Sequence, residues 1–282
     1  MSHPYLIPAL FAGLIQGIVE WLPVSSKTMI TIYFTILGIK VQNAYDLGLI
    51  ANFGSFFAAL YYFRREAWAT LKALGHPMSS EPYAKLLRFL FVGTLATGVT
   101  GIPIYIAVRH TFSSIGGSIA MIVIGVLLLF TGTLMRRKEH MMADARTMDA
   151  PPKDPNLGTA VLTGAMQGLA ALPGISRSGM TITPLLWMGF NGEEAIRLSF
   201  MLDVLALVGA GVVPLVIGSG GQSAVAQFGL GTTILMVAVA AVVSFLAINA
   251  VLNVAKKLRT STVTFVIAGI TLVVAIAAVI GL

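Results

Sequence analysis

Long apolar runs constrain this chain more than any other feature. A helix needs ~20 apolar residues to cross ~30 Å of hydrocarbon. Runs near 45–63, 88–108, 115–135, 195–217, 230–254 and 262–281 meet or approach that length. Only 10% of the 282 residues are charged, against ~25% in a soluble domain. So few charges cannot cover a globular surface of this size. An ordinary cytosolic enzyme, a disordered chain and a nucleic-acid binder are therefore set aside, in spite of the net charge of +7. There is no cysteine, hence no disulfide framework and no thiolate chemistry. Met1 to Pro4 lacks a charged n-region and is not read as a cleaved signal peptide.

The Lys and Arg residues orient the runs. Arg64, Arg65, Lys72, Lys85 and Arg88 fill the connection after the first run. Arg136, Arg137, Lys138, Arg146 and Lys153 fill 136–156, and Lys256, Lys257 and Arg259 precede the last run. The segment 218–229 carries no charge and 109–114 carries one Arg. Cytoplasmic loops of membrane proteins carry the excess of Lys and Arg. The basic connections are then inside, the runs alternate in direction, and the C-terminus lies outside.

Two segments do not fit as simple spans. Residues 5–39 are split at Pro23-Val24-Ser25-Ser26-Lys27, and 157–190 at Pro173-Gly174-Ile175-Ser176-Arg177-Ser178-Gly179. After each break about 12 apolar residues remain, ~18 Å of helix, too short to span. Both read as re-entrant helix–loop–helix hairpins. Irregular backbone at membrane depth is tolerated only inside protein or beside a watery cavity, so the breaks predict a cavity. The hairpins also resemble each other. Gly13-x-x-Gln16-Gly17 matches Gly164-x-x-Gln167-Gly168 at a shift of 151, and Pro23-x-x-Ser26-Lys27 matches Pro173-x-x-Ser176-Arg177 at 150. The first follows from outside and the second from inside. The expected fold is all-α and integral to the membrane, with six transmembrane helices plus the two hairpins in an inverted-topology repeat. It forms one membrane domain over 1–282, its repeats near 1–135 and 157–282 joined by a solvated cytoplasmic loop at 136–156. In such folds the site lies where the broken hairpins meet.

Ionisable groups at membrane depth are costly and are functional candidates by default. They are Glu20, Lys27, Asp46, Arg177 and Asp203, with Gln16 beside them. Gln16 and Glu20 share a helix face. Ser25, Ser26 and Thr28 follow at the first break, and Gly174, Ser176, Ser178 and Thr181 surround Arg177 at the second. A glycine-containing turn entering a helix presents backbone N–H groups and a favourable dipole to an anion. Arg177 adds a planar fork suited to phosphate oxygens, and Lys27 a point-like cation. Glu20 could deprotonate Ser26 or a water, with Arg177 stabilising charge on a phosphoryl group. It could also hold Mg2+ or Ca2+ with Gln16, both being oxygen donors. The plainer alternatives are stated beside these. Glu20 pairs with Lys27 or Arg177 as a buried bridge. Ser25, Thr28 and Thr181 bond carbonyls one turn back. Asp46 caps the helix at 45–63, and Glu193 and Glu194 answer the dipole of a helix start. Asp203 serves the site, a proton path or a structural pair. His3, His76, His110 and His140 fall at ends or in loops, which leaves no imidazole base in the core.

The run Gln16-Gly-Ile-Val-Glu20-Trp-Leu-Pro-Val-Ser25-Ser26, followed by Pro173-Gly-Ile-Ser-Arg177-Ser-Gly-Met-Thr181, resembles the undecaprenyl-pyrophosphate phosphatase family, also called the bacitracin-resistance protein family. Its marks are an (E/Q)xxxE motif leading into PxSS and a PGxSRSxxT motif, here in order and covering nearly the whole chain between and around them. The resemblance implies a multi-pass enzyme of the plasma membrane that removes the terminal phosphate of a polyprenyl diphosphate. It implies a divalent cation, Mg2+ or Ca2+, and a site opening to the outer face. By motif, Gln16 and Glu20 match the acidic pair, Ser26 the nucleophilic or water-positioning serine and Arg177 the essential arginine. Ser176, Ser178 and Thr181 complete the phosphate loop. Two departures stand out. Met29 holds the place of the family's histidine, so either Lys27 or Asp203 takes that role, or the protein is slower, or it does something else. The stretch Asp46–Gly54 departs from the family's acidic–apolar–Gln–Leu–Gly pattern, with Asn52 standing in for the amide. The alternative class is a polyprenyl-phosphate flippase or a catalytically weak lipid-binding relative. A homodimer is compatible with either.

Overall fold

The computed structural model describes the backbone of residues 4–22, 24–147, 153–217, 219–255 and 260–280. Pro23, Pro151, Pro152, Lys256, Lys257 and Arg259, the side chain of Arg146, and Met1 to His3 fall outside the described residues. Thirteen α-helices follow one another in the described residues, with no strand among them. The first hairpin is α1 (Leu6–Val19) and α2 (Ser26–Ile36). Then come α3 (Val41–Ile50), α4 (Asn52–Tyr62), α5 (Arg64–Lys72), a 3-10 turn at Ala73–Gly75, α6 (Pro82–Ser114) and α7 (Gly117–Thr147). The second hairpin is α8 (Leu157–Leu169) and α9 (Arg177–Trp187). It leads to α10 (Gly192–Val216), α11 (Gly220–Phe228), α12 (Leu230–Ala255) and α13 (Thr260–Ile280).

Five helices are long and apolar enough to cross a bilayer: α6, α10, α13 and the apolar stretches of α7 and α12. Large apolar side chains such as Phe91, Leu95 and Val99 on α6 and Ile270 and Val273 on α13 remain exposed. Such faces suit hydrocarbon, where no polar surface is needed. The run at 45–63 corrects the sequence reading, because it is interrupted at Ala51 and gives α3 and α4 rather than one span. Asn52 supplies the reason. Its Nδ2 donates to the carbonyls of Leu49 at 2.8 Å and Gly48 at 3.3 Å, a side-chain alternative to the helix ladder. Asp46 consequently sits inside α3 and caps nothing. It is fully buried and accepts from Tyr105 Oη and Arg109 Nε, both at 2.9 Å.

The connection at 136–156 is also different from expectation. Helix α7 continues through Arg136, Arg137 and Lys138 to Thr147, since Arg, Lys, Glu, Met and Ala are good helix formers. Glu139 anchors the extension by accepting from Ser261 N at 2.8 Å and Ser261 Oγ at 2.7 Å. The uncharged segment 218–229, read as a plain connection, contains the short helix α11. Glu193 and Glu194 do occupy the first turn of α10, behind an Asn191 cap whose side chain accepts from Glu194 N.

The charged connections gather at one end. Lys85 pairs with Asp154 at 2.5 Å, Lys153 N donates to Glu194, and Glu139 binds Ser261. The other end holds Asp46–Arg109 and the Asn43–Gln227 contact at 2.6 Å. Within this frame α1 lies along α12 and α8 lies along α6. The glycines that mark the repeat make both crossings possible. A Cβ on Gly13 or Gly17 would meet Val239 Cβ at 2.7 Å or Val243 Cβ at 2.6 Å. One on Gly164 or Gly168 would overlap the Gly93 carbonyl or the Thr100 hydroxyl. Small residues one turn apart let apolar helices approach closely where water cannot drive them together.

Candidate active site

The two breaks meet and bind each other. Ser25 precedes α2 and Ser176 precedes α9, both in extended conformation. Gly174 takes φ of +87°, a conformation that costs glycine nothing. That turn aims its N–H at Thr28 Oγ1, 2.6 Å away, and Thr28 contacts Ser25 Oγ at 2.7 Å. Lys27 reaches across in the other direction. Its ammonium donates to the carbonyl of Ala170 and, at 3.3 Å, to that of Ile175. Tyr45 Oη donates to the Ala171 carbonyl at 2.5 Å. Three carbonyls and one N–H of the second break are thus satisfied by Lys27 and Thr28 of the first hairpin and by Tyr45 of α3.

Glu20 is the hub of the polar cluster. One oxygen accepts from Ser26 Oγ and, at 2.8 Å, from Gln16 Nε2. The other accepts from Arg177 Nη2. Asn52 Oδ1 accepts from the same Nη2 at 3.2 Å. Arg177 Nε lies 3.0 Å from Asp203 Oδ1, and Nη1 is buried without a partner. Behind Glu20, Gln16 Nε2 also donates to Ser55 Oγ at 3.1 Å, and Ser55 contacts Ser244 at 2.9 Å.

A cavity of about 1340 Å3 contains this cluster, larger than the ~300–1,000 Å3 usual for small-molecule sites. Glu20, Ser25, Ser26, Lys27, Ser176, Arg177, Ser178, Asn52 and Asp203 all line it. It begins among Glu66, Arg136, His140, Glu193 and Arg197 at the charged end and continues to Tyr105 and Val213. From Glu193 to Val213 that is ~30 Å along α10.

The sequence-derived residues divide into two sets. Glu20, Ser26, Arg177, Ser25, Ser176, Ser178 and Asp203 share the cavity wall, with Ser176 and Ser178 Oγ at 3.3 Å. Gln16 is buried behind Glu20 and offers it a donor, not an acceptor. Gly174 shapes the turn and spends its N–H on Thr28. Thr181 turns away, bonding the Arg177 carbonyl at 3.1 Å and Ser199 Oγ. Met29, in the family histidine's place, is not among the lining residues. His140 differs from expectation, since it belongs to α7 and lines the mouth. Sequence reasoning missed Tyr45, Ser55 and Arg197. Ser55 was within reach of it, standing three residues after Asn52 on the same helical face. Tyr45 and Arg197 had no local signal.

The chain is similar to known proteins over nearly its whole length. The chain is 36% identical over 279 residues to the undecaprenyl-diphosphatase of Methanopyrus kandleri, covering 99% of both chains. It is 38% identical over 259 residues to that of Saccharolobus islandicus, covering 89% of both, and 33% identical over 272 to that of Haloarcula marismortui, covering 95% of this chain and 96% of the relative. The model of the bacitracin resistance protein BacA family matches residues 9–276, and the chain belongs to that family.

Proposed function

We propose that the protein is a membrane phosphatase that hydrolyses a polyprenyl diphosphate, as the names of its relatives suggest, to the monophosphate and inorganic phosphate. One observation carries this reading: Glu20 touches both Ser26 Oγ and Arg177 on the wall of one cavity. A carboxylate beside a hydroxyl prepares a nucleophile. A site built only to hold an anionic lipid, as in a flippase, gains nothing from that carboxylate.

Glu20 takes the proton from Ser26 Oγ, or from a water held there, as the oxygen attacks the terminal phosphorus and the bond from that phosphorus to the bridging oxygen breaks. On the serine route Glu20 then gives up that proton and activates a water that cleaves the phosphoserine, releasing phosphate and restoring Ser26. Arg177 Nη1, the unspent donor, meets the phosphoryl oxygens as charge develops on them. The free N–H groups at the starts of α2 and α9 face the same breaks and favour negative charge. Ser25, Ser176 and Ser178 offer further hydroxyl donors. The leaving group is itself a phosphate monoester, a stable anion that needs no proton donor. That suits a site with Met29 where relatives are expected to carry histidine.

The resemblance implies a divalent cation. Among the described residues no three of His, Cys, Asp and Glu come together as ligands. One pair of hard oxygen donors, the Glu20 carboxylate and Asn52 Oδ1, shares Arg177 Nη2, and the Asp203 carboxylate stands at Nε of the same guanidinium. Such a pair fits an ion that keeps waters and shares substrate oxygens, in the manner of Mg2+, rather than an all-protein cage. When bound, the ion supplies neutralisation of phosphate charge. Gln16 presents its nitrogen to Glu20 and supports the carboxylate from behind.

The reading extends to topology. Exchange of partners between hairpins and long helices, α1 on α12 and α8 on α6, supports an inverted repeat with two re-entrant hairpins in the plasma membrane. With the charged end inside, the cavity mouth at Arg136, His140 and Arg197 faces the cytoplasm. The resemblance implies the opposite opening, to the outer face, and the cavity lining reaches that end too, at Tyr105 and Val213 beside the Asp46–Arg109 pair. The cysteine-free chain permits a direct test. Arg197→Cys should react with a membrane-impermeant maleimide only when the cytoplasmic face is exposed, and Ser113→Cys only from the other side. The reverse pattern would sink this sidedness.

For the activity, purified protein in detergent should release phosphate from a polyprenyl diphosphate. Release no greater than that of a Glu20→Gln, Arg177→Ala double variant, with divalent cation present, would end the enzyme reading.

A further inference from the structure

Asp203 stands in the middle of α10, an otherwise apolar 25-residue helix. A carboxylate there is expensive unless it has a task or a partner. Its side chain is 14% exposed and lines the cavity, and its Oδ1 is 3.0 Å from Arg177 Nε. Glu20 and Asn52 take Nη2 of the same guanidinium. The planar fork is therefore held at two of its three nitrogens, from two directions. The third, Nη1, is buried and has no partner. An unpaired buried donor costs ~1–3 kcal/mol, and native sites tolerate that mainly where a ligand will satisfy it.

We propose that Asp203 is a positioning residue for the phosphoryl-transfer step: it fixes Arg177 from the Nε side so that Nη1 is presented to the terminal phosphate. The inference rests on the phosphatase reading above. The contact is an ion pair without an aligned hydrogen bond, since Oδ1 of Asp203 has no hydrogen-bond partner. Charge, rather than hydrogen-bonding shape, is what holds the arginine. Four formal charges meet at the site, Glu20 and Asp203 against Lys27 and Arg177, and they cancel. An arriving diphosphate meets a neutral site, in which Arg177 is aimed but not free to swing out and collapse onto the substrate. This separates Asp203 from Glu20, which alone touches the Ser26 hydroxyl.

The isosteric Asp203→Asn removes only the charge. It should lower kcat ~10- to 100-fold, the scale of a misdirected transition-state donor. KM should fall, because a negative charge beside an anionic substrate has gone. Partial unfolding would lower the rate without lowering KM, and Asp203→Glu, which keeps the charge, should recover more activity than Asn. The second measurement uses guanidinium ion as the probe. Guanidinium should restore activity to Arg177→Ala, and fail to do so in Arg177→Ala, Asp203→Ala. Equal rescue in both backgrounds, or kcat within twofold of wild type in Asp203→Asn, would overturn the proposal while leaving the phosphatase intact. So would a tenfold rise in the Mg2+ needed for half-maximal rate in Asp203→Asn, which would make Asp203 a cation ligand instead. Absence of phosphate release by the wild-type protein would remove the phosphatase reading first.

Discussion

Lys27 and Arg177 hold equivalent places in the two hairpins, 150 residues apart, each following a serine at the start of a short helix. Their surroundings divide them. Lys27 is 7% exposed and gives its protons to the carbonyls of Ala170 and Ile175, so it braces one break against the other. Arg177 meets two carboxylates, and its Nη1 is buried without a partner among the described residues. The residues before each break explain the split. Gln16 is followed at four residues by Glu20, whereas Gln167 is followed by Ala171. The first break therefore carries a carboxylate bonded to a hydroxyl, and the second an arginine with a nitrogen to spare.

The largest expected effect tests that division. Glu20→Gln should lower kcat ~10²–10⁴-fold, the range of a positioned general base, with KM little changed. Arg177→Ala should lower kcat by ~10²–10³-fold and also raise KM, because the guanidinium binds as well as stabilises. Steady-state kinetics on polyprenyl diphosphate decides between these patterns. If both variants give the same kcat and KM signature, the two breaks do not divide the work.

A smaller effect separates the two cations. Lys27→Met leaves the Ala170 and Ile175 carbonyls without their charged donor. Hydrogen bonds to charged groups are worth ~1.5–3 kcal/mol. Thermal unfolding in detergent should shift down by several degrees, while the folded fraction retains activity within ~10-fold. Arg177→Ala should show the opposite ranking, a large loss of activity and a lesser loss of stability. Equal ranking of the two variants would return Lys27 to the phosphate site expected from the resemblance.

Much of this was legible because it followed from spacing. The apolar runs, the two breaks and the cluster of Glu20, Ser26 and Arg177 all come from position along the chain. What escaped depends on partners far away in sequence. The run at 45–63 has the length of a span, but Asn52 turns its side chain back onto Gly48 and Leu49 and interrupts it. Asp46 had the look of a cap until Tyr105 and Arg109, about 60 residues on, took both its oxygens. The charges of 136–147 resembled a loop, and only the Glu139–Ser261 contact shows why a helix persists there. Lys27 is the clearest case. A lysine beside paired serines suggests a phosphate contact, and nothing local announces carbonyls 143 and 148 residues away.

The smallest expected effect lies with the threonines one turn after the two cations. Thr31 Oγ1 donates to the Lys27 carbonyl at 2.7 Å, and Thr181 Oγ1 to the Arg177 carbonyl at 3.1 Å. Both are essentially buried, and a hydroxyl has one proton to give. The motif resemblance counts Thr181 among phosphate contacts, while the geometry gives it the same backbone task as Thr31, with Ser199 as a second partner. Thr31→Val and Thr181→Val should therefore behave alike, each losing ~0.5–1.5 kcal/mol of stability and less than ~3-fold in rate. Ser178→Ala, on the cavity wall, should cost more activity than Thr181→Val and less stability. A rate loss above tenfold in Thr181→Val alone would mean that α9 turns when substrate binds and brings that hydroxyl into the cavity. The two hairpins would then differ in motion as well as in charge.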